Sequence, residues 1–362
     1  MSKSIGPREL SELAQVSAGA RPKALWPVPT TAIVGVVGFP VSHSLSPRLH
    51  NAAYAVMGLD WCYHAFEVPP GSLDTAVVGA AALGLRGLSV TMPHKEAAAR
   101  VATRRSRQVR RLGAANTLIF LGSAIRAESC DGDGLLDDLR QGAGFDPAGL
   151  RCGVIGAGGA GRAVVLALAE AGAAEIVVVN RTAARAWRAV ALAPRIAHVG
   201  RPEDLRGMDL VVQATPVGMP EARSVPEVSP ARLTGSLAPA GSGTAHRSDQ
   251  PVEPQDSSRS AGQPGSRPPA SGADRGAVIA GVDPSWFGAG QLVVDLVYEP
   301  PVTPFLIEAE RQGATVRNGL GMLVHQAARQ ISFWTGAQPP LEVMWAVVRR
   351  HGDRSEEPTG YS

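Results

Sequence analysis

Short apolar runs alternate with stretches of helical spacing along most of the chain. Thr31 to Gly38, Gly87 to Thr91, Cys152 to Ile155, Ile176 to Val179, Asp209 to Gln213 and Gln291 to Tyr298 carry Val, Ile and Leu, with Gly, Pro or polar residues at their borders, and Cys62 to Val68 is a further short run with Tyr63 and Phe66. Runs this short and this apolar read as strands covered on both faces, as in a parallel sheet. Between them, Arg48 to Met57, Leu73 to Leu83, Leu135 to Gln141, Arg162 to Ala171 and Thr303 to Gln312 carry no proline beyond the first turn and read as helices. A last helix runs on through Gln330 and Trp334, long and apolar enough to pack back onto the first half of the chain. Strand alternating with helix predicts an α/β fold. At 362 residues there is room for two domains, a small open α/β sheet and a doubly wound parallel sheet.

Two stretches break this pattern. Gly235 to Gly276 is built of Gly, Pro, Ser, Gln, Asp and Arg with hardly any large apolar residue, so burial cannot offset its ordering entropy. It is expected to be a disordered insertion within a domain, residues 235–276. Residues 1–30 carry basic residues but neither a continuous apolar core nor a small-residue cleavage signal, and are expected to be a disordered leader instead of a secretory peptide. No apolar run approaches the roughly 18 to 20 residues that span a bilayer. Cys62, Cys130 and Cys152 lack metal-ligand spacing and are too few for a disulfide framework, which points to no metal and to a reducing, cytoplasmic setting. The net charge is +3, and Arg104, Arg105, Arg107, Arg110 and Arg111 supply much of the basic excess. With no aromatic residues between them they read as an exposed helix face, not a nucleic-acid patch.

The densest chemistry lies at Val154-Ile155-Gly156-Ala157-Gly158-Gly159-Ala160-Gly161. A strand that breaks into close-set glycines and opens a helix lets backbone N–H groups approach a pyrophosphate without Cβ obstruction. Ile176 to Val179 completes the βαβ unit and ends in Asn180-Arg181-Thr182. An acidic residue there would accept from a ribose 2′-hydroxyl and repel a 2′-phosphate, but this chain has Asn180 and Arg181, with Arg185 in the first turn of the next helix. A guanidinium matches a phosphate, so the spacing predicts NADP(H) over NAD(H), against a plain solvated turn with surface arginines.

The first half holds several further candidates. Ser44 and Ser46 precede a helix that Pro47 can begin, and could cradle a carboxylate or serve as turn and N-cap residues. Val90 to Glu96 (VTMPHKE) delivers Thr91 from a strand and sets Lys95 at a helix start, where the dipole disfavours a cation. Proton transfer would explain a lysine there; a surface lysine is the alternative. Asn116 could sit at a strand edge, and Asp131 precedes a helix it could cap. The turn Ala214 to Met219 lies where open α/β sheets bind ligands.

Five ordered signatures together resemble the shikimate dehydrogenase family: the Ser44/Ser46 loop, VTMPHKE, AANT at Ala114 to Thr117, GAGGAG followed by NRT, and GLGMLVHQA at Gly319 to Ala327. The resemblance covers roughly Ala32 to Arg349 apart from the insertion. It implies NADPH-dependent reversible reduction of 3-dehydroshikimate to shikimate, in aromatic amino acid biosynthesis, with a cleft between a catalytic domain (31–132 with 318–352) and an NADP domain (133–317). By motif position, Lys95 and Asp131 resemble the catalytic pair. Ser44, Ser46 and Tyr298 resemble carboxylate contacts, and Thr91, Asn116 and Gln326 partners of the ring hydroxyls. Gly156, Ala157, Gly158, Gly159, Ala160, Asn180, Arg181, Thr182, Arg185, Thr215, Gly319 and Met322 resemble the cofactor contacts, and a homodimer is the candidate assembly. The chain departs from the family pattern at Ser89, where Asn is usual, at Ser129-Cys130, where Asn-Thr is usual, and at His94. These departures leave quinate or aminoshikimate open as substrates, and a catalytically weak NADPH-binding protein as the reading from another class.

Overall fold

The computed structural model describes residues 27–219 and 277–354. The expected insertion, and the expected leader up to residue 26, lie outside the described residues. Two six-stranded sheets organise the rest.

The first sheet contains β1 (Ala32–Gly38), β2 (Trp61–Glu67), β3 (Gly87–Val90), β4 (Arg104–Arg105), β5 (Thr117–Leu121) and β6 (Ala124–Glu128), in the order β2-β1-β3-β5-β6-β4. Helices α1 (Ser46–Val56) and α2 (Leu73–Ala82) join the parallel strands β1, β2 and β3. Beyond β3 the sheet turns antiparallel through a hairpin of β5 and β6, which the alternation of strand and helix does not predict. Leu118 and Ile119 are both buried, so β5 has no period of two to announce it, and only Gly122, at φ +61°, marks the turn. The arginine-rich stretch also differs from a single helix face. It comprises the end of α3 (Lys95–Val101), the edge strand β4, and α4 (Arg107–Leu112), which Ser106 caps by accepting from the Val109 N–H at 3.2 Å. Arg100, Arg104, Arg105, Arg107, Arg110 and Arg111 are exposed along it.

The second sheet is wholly parallel: β7 (Arg151–Ile155), β8 (Glu175–Val179), β9 (Ala197–Val199), β10 (Leu210–Gln213), β11 (Leu292–Asp295) and β12 (Thr315–Arg317), ordered β12-β11-β10-β7-β8-β9. The order reverses between β7 and β10, the switch point of a doubly wound fold. One face packs Val154, Val178 and Val212 against Val164, Val165 and Leu168 of α6 (Gly159–Glu170). The other packs Ile155, Val177, Val211 and Val293 against Phe287, Phe305 and Leu306. Each fully buried Leu, Val or Phe there contributes about 1.5–3 kcal/mol, which accounts for the unbroken apolar runs. Helix α7 (Ala183–Val190) follows β8 and α8 (Pro304–Arg311) follows β11.

Two helices cross between the sheets. The outgoing one, α5 (Asp131–Asp137), ends in a π-helical turn at Asp138–Gly142. The returning one, α9 (Leu320–Thr335), lays Leu323, Val324, Ala327, Ala328 and Ile331 against Val34, Val36, Leu49 and Ala53 of the first sheet and α1. Helix α10 (Leu341–Arg354) adds Met344 and Val348 to that cluster.

Two buried titratable side chains give stability opposite dependences on pH. Burial pushes the Asp295 carboxyl up to about 6, although Thr303, the Val297 N–H and Gln213 all donate to it and favour its charge. The folded chain therefore holds a proton that the unfolded chain releases near pH 4, and stability falls as pH rises through that window. Burial pushes the His50 imidazole down to about 3. There the unfolded chain takes up a proton near pH 6.5 that the folded chain refuses, so stability falls as pH drops. At about 1.4 kcal/mol per pKa unit, Asp295→Asn is expected to stabilise the protein at pH 7 by about 3 kcal/mol compared with its effect at pH 4. His50→Phe, which keeps a ring against Tyr63, is expected to add about 2 kcal/mol at pH 5 by the same conversion. Urea unfolding at the three pH values checks both, and parallel curves for wild type and variants would refute them.

Candidate active site

A cleft runs between the carboxyl end of β1 and β3 and the glycine turn after β7. Val36, Ser44, Ser46, Ser89, Thr91, Lys95, Asp131, Gln326 and Gln330 line one side, and Ala160, Thr215, Pro216, Leu296, Gly319 and Met322 the other; Tyr298 also lines it. Lys95 is the first residue of α3, whose entry His94 fixes: its buried ring Nε2 lies 2.7 Å from the Val68 carbonyl oxygen. Lys95 Nζ donates to Asp131 Oδ2 at 2.7 Å, with the side chains 16% and 5% exposed. The pair is thus shielded from water enough for its charges to hold one another in place. Asp131 starts α5 and does not cap it, since Cys130 occupies the N-cap and makes no side-chain cap. Its second oxygen instead accepts from Asn116 Nδ2 at 2.9 Å.

Asn116 is 1% exposed and does not itself line the cleft. Its amide also donates to Gln326 Oε1 at 2.9 Å, and its oxygen accepts from the Cys130 N–H and the Thr117 hydroxyl, each at 2.9 Å. Ser44 Oγ accepts from the Ser46 N–H at 3.3 Å, and Tyr298 hydrogen-bonds Ser44 and the Leu45 backbone. Leu45, not a serine, takes the N-cap of α1. The structure therefore brings Ser44, Ser46, Thr91, Lys95, Asp131, Tyr298 and Gln326 to one cleft, with Asn116 directly behind it.

The glycine turn fits a dinucleotide. Gly156 has φ +106°, and a Cβ on it would come within 2.8 Å of Thr215. A Cβ on Gly161 would lie 2.1 Å from the Gly156 carbonyl oxygen, so the helix can cross the strand this closely only with glycine. Gly158 is exposed and a Cβ there would touch nothing, leaving the N-terminus of α6 open to an anion. Asn180 Oδ1 accepts from the Ala157 N–H at 3.1 Å and its amide donates to the Thr182 carbonyl, tying the end of β8 to the turn. Arg181 and Arg185 are exposed beside it, and neither has an ion-pair partner among the described residues.

The two halves meet at the lysine. A Cβ on Gly159 would stand 3.1 Å from Lys95 Cδ, so the ammonium's stem lies against the glycine turn. Beside it, Arg162 of α6 donates through both terminal nitrogens to Glu96 Oε1 at 2.9 Å. Gly132 of α5 lies on Ala163 of α6, where a Cβ would sit 2.5 Å from a carbonyl oxygen.

Three regions match family descriptions: residues 36–118 the shikimate dehydrogenase substrate binding domain, 143–216 shikimate / quinate 5-dehydrogenase, and 319–349 the shikimate 5'-dehydrogenase C-terminal domain. The chain is 39% identical over 332 residues to the shikimate dehydrogenase (NADP(+)) of Methanopyrus kandleri, covering 89% of this chain and 96% of that protein. It is 36% identical to the enzyme of the same name from Moorella thermoacetica, over 88% and 93% of the two chains. The chain belongs to the shikimate dehydrogenase family. Among solved members, the Thermus thermophilus enzyme in complex with NADP(H) and shikimate superposes with a TM-score of 0.66 at 30% identity, over 88% of this chain and 99% of that one.

Against the family pattern, two of the departures in this shikimate dehydrogenase homologue, His94 and Cys130, have buried partners. His94 turns away from Lys95 to anchor α3 to β2's end, at Val68. Burial pushes the Cys130 thiol up to about 12, and it lies 3.4 Å from the Thr117 hydroxyl. Gln330, Arg162 and Glu96 escaped the sequence reading. Gln330 lies one helical turn beyond Gln326, a spacing that places both on one face of α9. The ion pair joins positions 66 residues apart, which no local pattern indicates.

Proposed function

We propose that this chain is an NADP-dependent shikimate dehydrogenase that reversibly reduces 3-dehydroshikimate to shikimate. The observation that carries the reading is the Lys95–Asp131 pair at 2.7 Å, its lysine stem against the glycine turn, in a cleft lined by hydroxyls and amides. The activity named for its relatives and the shikimate-bound neighbour support it. Gly156, Ala157, Gly158, Gly159, Ala160, Thr215, Gly319 and Met322 would hold the dinucleotide, with Asn180, Arg181, Thr182 and Arg185 at its 2′-phosphate end. NADPH, when bound, supplies a hydride to the ketone carbon. Lys95 gives a proton to the ketone oxygen as charge develops there, and Asp131 holds the ammonium in place. In the reverse direction Lys95 takes that proton back. Ser44, Ser46 and Tyr298 orient the carboxylate, and Thr91 and Gln326 read the ring hydroxyls, as neutral groups must to penalise analogues that lack them; Asn116, behind the cleft, holds Gln326 and Asp131 toward them. Ser89, which lines the cleft where the family usually has Asn, leaves quinate or aminoshikimate as the second reading. Three free cysteines suit a cytoplasmic enzyme, and a scattering mass twice that of one chain is the expected sign of a homodimer.

The test is a panel of shikimate, quinate and aminoshikimate with NADP+ and NAD+, read at the reduced-nicotinamide band. Shikimate with NADP+ is expected to give the highest kcat/KM; cofactor binding without turnover on any polyol would reject an enzyme. Arg181→Asp is expected to lower kcat/KM for NADP+ about 100-fold and improve NAD+ relative to it, the loss of one or two charge-assisted hydrogen bonds. An unchanged ratio would remove Arg181 from the 2′-phosphate.

A further inference from the structure

From the wall of the cleft, at Ser89 and Gln330, a set of buried polar side chains extends inward that substrate contact alone does not explain. Tyr63, Ser89, Gln330, Thr117 and Asn116 are each 5% exposed or less. They form one connected path. The Tyr63 phenol donates to Ser89 Oγ at 2.7 Å, and Ser89 donates to Gln330 Oε1 at 2.7 Å. Gln330 Nε2 donates to Thr117 Oγ1 at 3.1 Å, and Thr117 donates to Asn116 Oδ1 at 2.9 Å. Asn116 Nδ2 then donates to Asp131 Oδ1 at 2.9 Å, while Lys95 donates to the other carboxylate oxygen. The path begins at Ser46, whose side chain hydrogen-bonds the Tyr63 phenol.

Groups of fixed character set the direction. The Asp131 carboxylate only accepts and the Cys130 N–H only donates, so Asn116 must face the first with its NH2 and the second with its oxygen. The Asn116 carbonyl, 3.3 Å from Gln330 Nε2, likewise requires the NH2 of Gln330 on that side and leaves its oxygen toward Ser89. Ser89 must then give its proton to Gln330 and accept the one from Tyr63. Every hydrogen bond therefore points from the carboxylate-binding serine toward the catalytic carboxylate. Aligned hydrogen bonds polarise one another in a low-dielectric interior.

We propose that this one-way chain holds and polarises Asp131, which makes Tyr63, Ser89, Gln330 and Thr117 positioning residues for the Lys95–Asp131 pair. The inference rests on the role given to that pair above. It also gives Ser89 a purpose of its own: a short hydroxyl relays the phenol's proton donation to Gln330 within the space available between β2 and α9.

The test is a double-mutant cycle on turnover. Tyr63→Phe removes one oxygen and keeps the ring that stacks on His50 at 3.9 Å. Ser89→Ala severs the chain one step nearer Asp131. Each is expected to lower kcat for 3-dehydroshikimate reduction, Ser89→Ala by about tenfold and Tyr63→Phe by less, with the NADPH dissociation constant unchanged. In the Ser89→Ala background, Tyr63→Phe is expected to cost nothing more, because the link it feeds is already gone. Tyr54→Phe is the control: Tyr54 is equally buried, and its hydroxyl has no hydrogen-bond partner among the described residues, so kcat should not move. Fold losses that multiply in the double variant would overturn the chain, as would losses matched by Tyr54→Phe. If wild type reduces 3-dehydroshikimate and the two variants match it, the chain fails while the assigned function stands. A wild type inactive on every polyol would overturn both.

Discussion

Lys95→Ala is expected to lower turnover by about 10²- to 10⁴-fold, the range that a positioned proton donor contributes, while the NADPH dissociation constant stays within about twofold. The alkoxide left by hydride transfer then loses the ammonium held by Asp131; the other polar groups lining the cleft are hydroxyls, amides, His43 and Asp131 itself. Asp131→Asn provides the companion measurement. It keeps the size of the side chain but removes the charge that holds the ammonium, so kcat should fall by less than in Lys95→Ala. Steady-state rates alongside a fluorescence titration of NADPH separate the two quantities. Equal losses in kcat and in NADPH affinity would make Lys95 a structural prop for the glycine turn, since its stem touches Gly159.

The second large effect separates two glycines three residues apart. Gly161→Ala places a methyl 2.1 Å from the Gly156 carbonyl oxygen, between two pieces of backbone that cannot yield cheaply. It is expected to destabilise the fold by about 3 kcal/mol or more, at the upper end of overpacking costs. Gly158→Val adds a side chain where nothing of the protein stands within reach, in a backbone conformation, φ −73°, open to any residue. It should leave the unfolding free energy within about 0.5 kcal/mol of wild type. Its NADPH affinity should nevertheless fall about 100-fold, because the added carbons occupy the approach that a pyrophosphate would use. Urea unfolding and a cofactor titration on both variants decide the matter. A Gly158→Val protein that binds NADPH as well as wild type would move the phosphates elsewhere.

Much of this was legible in the chain itself. Apolar runs bounded by glycine located the parallel strands, because strands buried on both faces favour Val, Ile and Leu. The glycine turn and Lys95 were legible for a related reason, since each imposes a local residue type. What stayed hidden depends on neighbours distant in sequence. The β5–β6 hairpin carries no alternation, and Asp131 looks like an ordinary N-cap until Lys95 and Asn116 are seen to converge on it. Ser89 reads as a loss near Lys95 until Tyr63 and Gln330 arrive from β2 and α9.

Helix α9 has a bearing on redesign. Within about three turns it runs from Gly319 and Met322, on the nucleotide side of the cleft, to Gln326 and Gln330 on the polyol side. A rod that lines both sides of the cleft cannot be retuned on one side without shifting the other. Engineering toward a different coenzyme should therefore begin at Arg181 and Arg185, and Ser89, which donates to Gln330 of the shared rod, should be left in place.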